Sequence, residues 1–313
     1  MKIFVTRRLP DSIMARARAL GAELHDSDEV LGDGARAALL HDYDAILCTL
    51  GDRFSADMFA GDLRCKIIAN FGVGYNHIDA DAAKGAGITV TNTPGVLTDA
   101  TADLAMTLML MALRRAAEGE RMVRADAWAG WTPTQMLGQN VTGRTLGIIG
   151  MGRIGQAMAR KAHYGFGMEI VFYNRSAKEL DFPATQLATV ADVASAADIV
   201  AIHAPGGAET KHLFDATAIA AMKPTGILIN TARGDVLDEA ALIDALQAGA
   251  IFGAGLDVYE EEPVVPAALR ALDNVVLLPH LGSATLKVRE AMGDMALDNI
   301  EAFIGGHDVP NPV

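Results

Sequence analysis

The chain has 313 residues, 51% of them hydrophobic and 21% charged, an ordinary globular composition that excludes wholesale disorder and low-complexity structure. At about 150 residues per domain it is long enough for two domains, each burying its own core. Its 26 Lys and Arg against 39 Asp and Glu give a formal net charge of −13. Such a surface repels phosphate backbones and anionic lipid, so nucleic acid is not an expected partner.

The opening residues, MKIFVTRRLPD, hold a short apolar run cut by Arg7 and Arg8, with no hydrophobic stretch of signal-peptide length. Strands are predicted over Lys2–Thr6, Ala45–Thr49, Lys66–Asn70 and Ile88–Thr91, with helices such as Ser12–Leu20 between them, as one small doubly wound unit. From Thr98, read as an N-cap, a helical stretch runs towards Arg124 and is expected to bridge two domains. Its first half, ADLAMTLMLMAL, is apolar on nearly every face and is expected at an interdomain or subunit contact, with Met106, Met109 and Met111 as packing. The longest apolar stretch, Leu104–Leu113, is interrupted by Thr107 and is about half of what spans a bilayer, so no membrane partner is expected. A second series of strands follows at Thr145–Ile149, Glu169–Tyr173, Ile199–His203, Gly226–Asn230, Gly253–Val258 and Val275–Leu278, making a larger unit. This alternation of β-type runs with Ala-rich helices predicts the α/β class, with parallel sheets built from βαβ units. Cys48 and Cys65 form neither a disulfide framework nor a zinc spacing; no metal is expected, and a reducing, cytoplasmic setting fits.

The segment TLGIIGMGRIGQAMARKA places Gly150, Gly152 and Gly155 directly after a strand and at the start of a helix whose first residues are Arg153 and Ile154. Bare GxGxxG is compatible with an ordinary turn; in this context it reads as a dinucleotide loop. The first glycine makes the turn, the second admits a pyrophosphate and the third lets helix and strand pack closely. About 20 residues on, an Asp or Glu would accept hydrogen bonds from the adenine ribose. The strand ends instead in Asn174, Arg175 and Ser176, and Glu179 is too far along to replace the acid. Arg175 is suited to pair with a 2′-phosphate, and Asn174 and Ser176 to donate to it, so NADP(H) is expected to be preferred, with NAD(H) still possible. The alternative is an Arg on a solvated loop.

Three polar segments follow the carboxyl ends of later strands: Asn230-Thr-Ala-Arg233, Gly255-Leu-Asp257 through Glu262, and Leu278-Pro-His280-Leu-Gly-Ser. Arg233 can hold a carboxylate by a bidentate fork, His280 can exchange a proton with an oxygen, and Glu262 can hydrogen-bond the imidazole. Beside a nicotinamide this set reduces a 2-keto acid. Each residue alone has a structural alternative, a surface ion pair or a buried polar group.

In their joint order, NFGVGYNHID, TNTPGVLTDATADLAM, GIIGMGRIGQAMA, NTARGDVLDEAAL, GLDVYEEEP and LLPHLGSAT resemble the D-isomer-specific 2-hydroxyacid dehydrogenase family over essentially the whole chain, and most of all its glyoxylate and hydroxypyruvate reductase branch. The resemblance implies two doubly wound parallel-sheet domains: a discontinuous, flavodoxin-like substrate domain of residues 1–98 plus 281–313, and a Rossmann dinucleotide-binding domain of 99–280, with substrate in the cleft between them. It implies Arg233, Glu262 and His280 as the catalytic set, His280 giving the proton. It also implies cofactor contacts from Thr101, His203, Ala204, Pro205, Thr210, Thr231, Ala232, Arg233, Asp257, His280 and Gly282. Leu50, with the N–H groups around Val73 and Gly74, would meet a small 2-keto or 2-hydroxy acid, together with Arg233 and His280. The turn Gly72-Val73-Gly74 is itself a candidate anion nest, or a plain turn. Where the family commonly carries bulkier polar residues, this chain has Gly206-Gly207-Ala208, so the resemblance does not assign the wall over the adenine ribose. A homodimer is implied, with Trp128 and Trp131 in an arm segment where Trp131 either caps the partner's active site or packs at an interface. Competing readings are D-lactate, phenylpyruvate or phosphoglycerate chemistry on the same framework, or a dinucleotide-sensing scaffold like the family's corepressors. Formate enzymes pair the histidine with glutamine, unlike this chain.

Overall fold

The computed structural model describes every residue, Met1–Val313, and the chain divides into two compact units. Unit 1 comprises Met1–Leu97 and Ser283–Val313, and unit 2 comprises Thr98–Gly282.

In unit 1 the strands β1 (Ile3–Val5), β2 (Glu23–Leu24), β3 (Ala45–Thr49), β4 (Ile67–Phe71) and β5 (Thr89–Thr91) form one parallel sheet in the order β2-β1-β3-β4-β5. This is the flavodoxin-like order, with its switch point between β1 and β3. The central strands are apolar without alternation, as sheets covered on both faces require: Ala45–Cys48 and Ile67–Phe71 are all buried. Helices α1 (Asp11–Ala19), α2 (Asp33–Asp42) and α3 (Ala80–Gly85) connect the strands, and α11 (Leu286–Ile304) returns to cover β3 and β4 beside α1. A side chain at Gly293 of α11 would collide with Ile13 of α1, and Arg16 ties the same helix pair through Asp294 (2.9 Å), Asp298 (2.6 Å) and Glu301.

In unit 2 seven strands form a parallel sheet in the order β12-β11-β10-β9-β6-β7-β8. They are β6 (Thr145–Ile149), β7 (Glu169–Tyr173), β8 (Thr185–Gln186), β9 (Ile199–Ile202), β10 (Ile227–Asn230), β11 (Gly253–Leu256) and β12 (Val275–Leu277). This is the Rossmann order, and it reverses between β6 and β9, where ligands bind in such sheets. Alternate residues of β9 face opposite cores, Ile199 and Ala201 into one, Val200 and Ile202 into the other. Helices α4 (Thr98–Leu113) and α6 (Arg153–Phe166) cover the first face; α7 (Val190–Ala196), α8 (Ala216–Ala221), α9 (Glu239–Gln247) and the short α10 (Ala267–Arg270) accompany the second.

Three expectations about the helical stretch are corrected. It is not one helix: α4 ends at Leu113, Arg115 takes a left-handed φ of 53°, and a separate helix α5 (Ala116–Arg124) follows. Thr98 is the first helical residue and not the cap before it. The apolar faces of α4 are met inside unit 2, by α6 and strands β10 and β11, so they require no second domain or subunit. The predicted strands also omitted the two-residue edge strands β2 and β8. No helix is long and apolar enough to cross a membrane.

Candidate active site

The glycine loop lies at the switch point of the unit 2 sheet. Gly150 adopts φ +98°, and a Cβ there would sit 2.7 Å from the Ala204 nitrogen; one on Gly155 would lie 2.3 Å from the Gly150 oxygen. The turn and the close approach of α6 to the strand therefore both require glycine. Gly152, the N-cap of α6, offers no side-chain cap and has open space where a Cβ would be. The first-turn N–H groups from Arg153 and Ile154 have no acceptor within the helix, which is the environment a pyrophosphate needs. Nearby groups are also left for a ligand: Thr231 Oγ1 and His203 Nδ1 are buried without partners. Burial pushes His203 down to about 4, so the ring is neutral; its Nε2 lies 3.1 Å from Met158 Sδ. These residues fit a dinucleotide.

At the end of β7 the structure redistributes the expected roles. Asn174 Oδ1 accepts from the Met151 N–H (3.1 Å), and its Nδ2 donates to the Ser176 carbonyl oxygen (2.8 Å). Its amide is thus engaged within the protein, tying the glycine loop to the strand end, and does not stand free to donate to a phosphate. Arg175 is exposed and pairs with Glu209 at 2.7 Å. Thr210 Oγ1 donates to the Pro205 oxygen (2.6 Å), folding the segment that carries Gly206-Gly207-Ala208. Sequence reasoning missed Glu209, whose partner is remote in the chain.

The three polar segments converge. Buried Asn230, at the end of β10, donates through Nδ2 to the Arg233 oxygen (2.9 Å) and accepts from the Ala232 N–H (3.0 Å), clamping the turn that presents Arg233. Burial pushes the Arg233 guanidinium down, against the attraction of Glu262 and Asp235. Asp257, after β11, is buried; its carboxylate accepts from the Leu281 N–H (2.6 Å) and the Gly282 N–H (2.8 Å), while its carbonyl accepts from the His280 N–H (2.9 Å). Thr101 Oγ1 donates to the Gly282 oxygen (3.0 Å). This scaffold holds His280 at φ +55°, an uncommon conformation for a non-glycine residue.

With Nδ1 facing Glu262 Oε2 at 2.7 Å, the His280 ring has a fixed orientation. Glu262 is itself fixed by the Tyr259 N–H (3.1 Å), and the Tyr259 hydroxyl donates to the Leu278 oxygen (2.9 Å). Burial pushes Glu262 up, but the His280 hydrogen bond and charge, the Tyr259 N–H and Arg233 outweigh it and hold the carboxyl below its usual range. Nδ1–H therefore donates to an anion, and Nε2 is the ring atom that can give or take a proton.

In unit 1, Leu50 is 36% exposed after β3, and Val73 and Gly74 are half-buried in the turn after β4. No main-chain carbonyl accepts from the Val73 or Gly74 N–H.

Residues 106–282 match the family model described as D-isomer specific 2-hydroxyacid dehydrogenase, NAD binding domain. The chain is 42% identical to the glyoxylate reductase of Thermococcus litoralis, covering 100% of this chain and 96% of that one. The chain belongs to the D-isomer-specific 2-hydroxyacid dehydrogenase family. Among solved structures, a Thermus thermophilus protein superposes with a TM-score of 0.91 at 41% identity, covering 100% of both chains. The NADPH-dependent glyoxylate/hydroxypyruvate reductase of Sinorhizobium meliloti, solved with NADP and malonate, gives 0.87 at 36% identity, covering 100% of this chain and 96% of that one. This dehydrogenase is accordingly an NAD(P)-dependent oxidoreductase acting on 2-hydroxy acids, with the α/β fold of two parallel sheets expected from its sequence.

Proposed function

We propose that this dehydrogenase reduces small 2-keto acids to D-2-hydroxy acids, glyoxylate to glycolate and hydroxypyruvate to D-glycerate, and prefers NADPH to NADH. The observation that carries the chemistry is the 2.7 Å contact of His280 with an ionised Glu262, beside Arg233. The names of its relatives in Thermococcus litoralis and Sinorhizobium meliloti support the substrate class.

When bound, the reduced nicotinamide supplies a hydride to the carbonyl carbon. Arg233 holds the keto acid through charge-assisted hydrogen bonds. The N–H groups of Val73 and Gly74 take its carboxylate, with Leu50 against the carbon skeleton. His280 Nε2–H protonates the carbonyl oxygen as the C–H bond forms, and Glu262 stabilises the imidazolium before transfer and its tautomer afterwards. The first-turn N–H groups at Arg153 and Ile154 hold the pyrophosphate, and Arg175 and Ser176 face the 2′-phosphate.

The deciding assay is initial-rate oxidation of NADPH and of NADH with glyoxylate, hydroxypyruvate, pyruvate and phenylpyruvate. Highest kcat/KM for NADPH with the two small acids is expected; a preference for NADH removes the Arg175 assignment. Arg175→Asp is expected to raise KM for NADPH far more than for NADH. Because an exposed ion pair contributes little, a dianionic phosphate can displace Glu209 from Arg175. Glu209→Gln should therefore lower KM for NADPH and leave that for NADH nearly unchanged, and an unaltered ratio in both variants counts against this reading.

Glu262→Gln removes the anion beside the imidazole. The kcat for reduction should then fall, because the imidazole loses the anion that fixes its Nδ1. Stability should respond as well. A carboxyl held low in the folded state contributes above the usual carboxylate range, and the contribution is lost as pH falls through its folded value. The melting temperatures of wild type and Glu262→Gln should therefore converge in acid. An unchanged kcat in Glu262→Gln would dissolve the proposed pairing.

The homodimer is part of this proposal. Helix α5 has no buried residue, and Val123, Trp128, Trp131 and Leu137 on and after it are exposed. Burying such side chains against a second copy removes apolar surface from water. We also assign the enzyme to the cytoplasm, from its two free, buried cysteines.

A further inference from the structure

The Gly72–Gly74 turn of unit 1 is shaped by side chains from two strand ends. Asn70, fully buried in β4, donates through Nδ2 to both the Gly72 and Gly74 oxygens, at 3.0 Å each. Asn92, just after β5, donates through Nδ2 to the Val73 oxygen at 2.8 Å, and the Thr93 N–H donates to the Gly72 oxygen at 3.0 Å. Every carbonyl of the turn is therefore drawn towards the body of unit 1.

In a trans peptide the C=O of one residue and the N–H of the next point in opposite directions. Anchoring the Gly72 oxygen on Asn70 aims the Val73 N–H the other way, and anchoring the Val73 oxygen on Asn92 does the same for the Gly74 N–H. We propose that Asn70, seconded by Asn92, is a positioning residue for the substrate carboxylate: the two amides hold the Val73 and Gly74 donors facing an anion. This rests on the reading above that the turn receives that carboxylate.

The site is otherwise built as apolar strand. Asn70 stands among Ile67, Ile68, Ala69 and Phe71, all buried, and its Oδ1 has no partner. An aliphatic residue would bury no orphaned acceptor there, so what the position gains from asparagine is its donor side. The two carbonyl acceptors also fix the amide orientation, since the reverse would set oxygen against oxygen.

The test is oxamate binding to the NADPH complex, followed at the Val73 and Gly74 amide resonances, with steady-state kinetics on glyoxylate. In wild type both resonances should shift on adding oxamate. Asn70→Leu should weaken oxamate and raise KM for glyoxylate by about tenfold or more, the scale of a hydrogen bond to a charged group, with a smaller change in kcat and unchanged NADPH affinity. Asn92→Ala, at a half-buried position and so less demanding on folding, should do the same, mainly through the Gly74 resonance. Oxamate bound as tightly by both variants as by wild type overturns the role of the asparagines while the nest stands. No shift at Val73 and Gly74 in wild type overturns the nest, and the proposal with it.

Discussion

Replacing His280 by Asn is expected to lower kcat for keto-acid reduction by roughly 10²–10⁴-fold, the range for losing a positioned proton donor. Asn suits the position for a backbone reason: His280 sits at φ +55°, and Asn enters that region more readily than most residues. The main-chain scaffold should persist, because Asp257 takes the N–H groups of residues 280, 281 and 282 whatever the side chain at 280. NADPH affinity should then change far less than kcat. What is lost is the ring nitrogen that can part with a proton, since an amide does not do so. Rates should be compared with dissociation constants read from nicotinamide fluorescence. A kcat within tenfold of wild type, with the fold intact, would take His280 out of the proton path.

Arg233→Ala should lower kcat/KM for glyoxylate by about 10³-fold, through loss of charge-assisted hydrogen bonds and of positive charge near the developing oxyanion. Its effect on stability should be small. Within the protein the guanidinium donates to the adjacent Ala232 oxygen (2.6 Å), and burial works against its charge even with Glu262 and Asp235 nearby. A cation kept half-buried for a ligand contributes little to folding, so removing it exchanges activity for nearly unchanged stability. The Asn230 clamp keeps the turn's shape, and added guanidinium ion should restore part of the lost rate. A variant that melts well below wild type yet retains its kcat/KM would make Arg233 structural.

The dinucleotide loop was legible because its three glycines answer to local geometry: a left-handed φ at Gly150, an uncapped helix start at Gly152, a close approach at Gly155. The segments that carry Arg233, Glu262 and His280 were legible as polar runs after strand ends, and the structure brings Glu262 and His280 into contact. The break at Arg115 was not legible, since Leu113-Arg-Arg-Ala116 contains neither Gly nor Pro to announce it. The edge strands β2 and β8 are two residues each, too short for any period to emerge. Glu209 was missed because the ion pair is made by tertiary packing and not by spacing. Asn174 was read as a ligand donor because its identity says nothing about which backbone groups its amide meets. Asn70 did carry a signal: an amide inside a wholly apolar strand must find partners, and the nearest unpaired carbonyls belong to the turn that follows.

The nesting of unit 2 within unit 1 bears on the order in which the protein is made. The Thr101 to Gly282 hydrogen bond brings the two ends of the inserted unit together, so it can close as soon as Gly282 leaves the ribosome. Unit 1, begun first, cannot finish then. Helix α11 and residues 305–313, which bridge Thr91 to Pro312 and bond Val313 to Val90, are synthesised after unit 2. Until they emerge, the apolar strands β3 and β4 lack their α11 layer and β5 is an open edge. The N-terminal half-unit is therefore the segment that most needs protection during translation, and a chain truncated after Gly282 should yield a folded unit 2 attached to an aggregation-prone β1–β5 remnant.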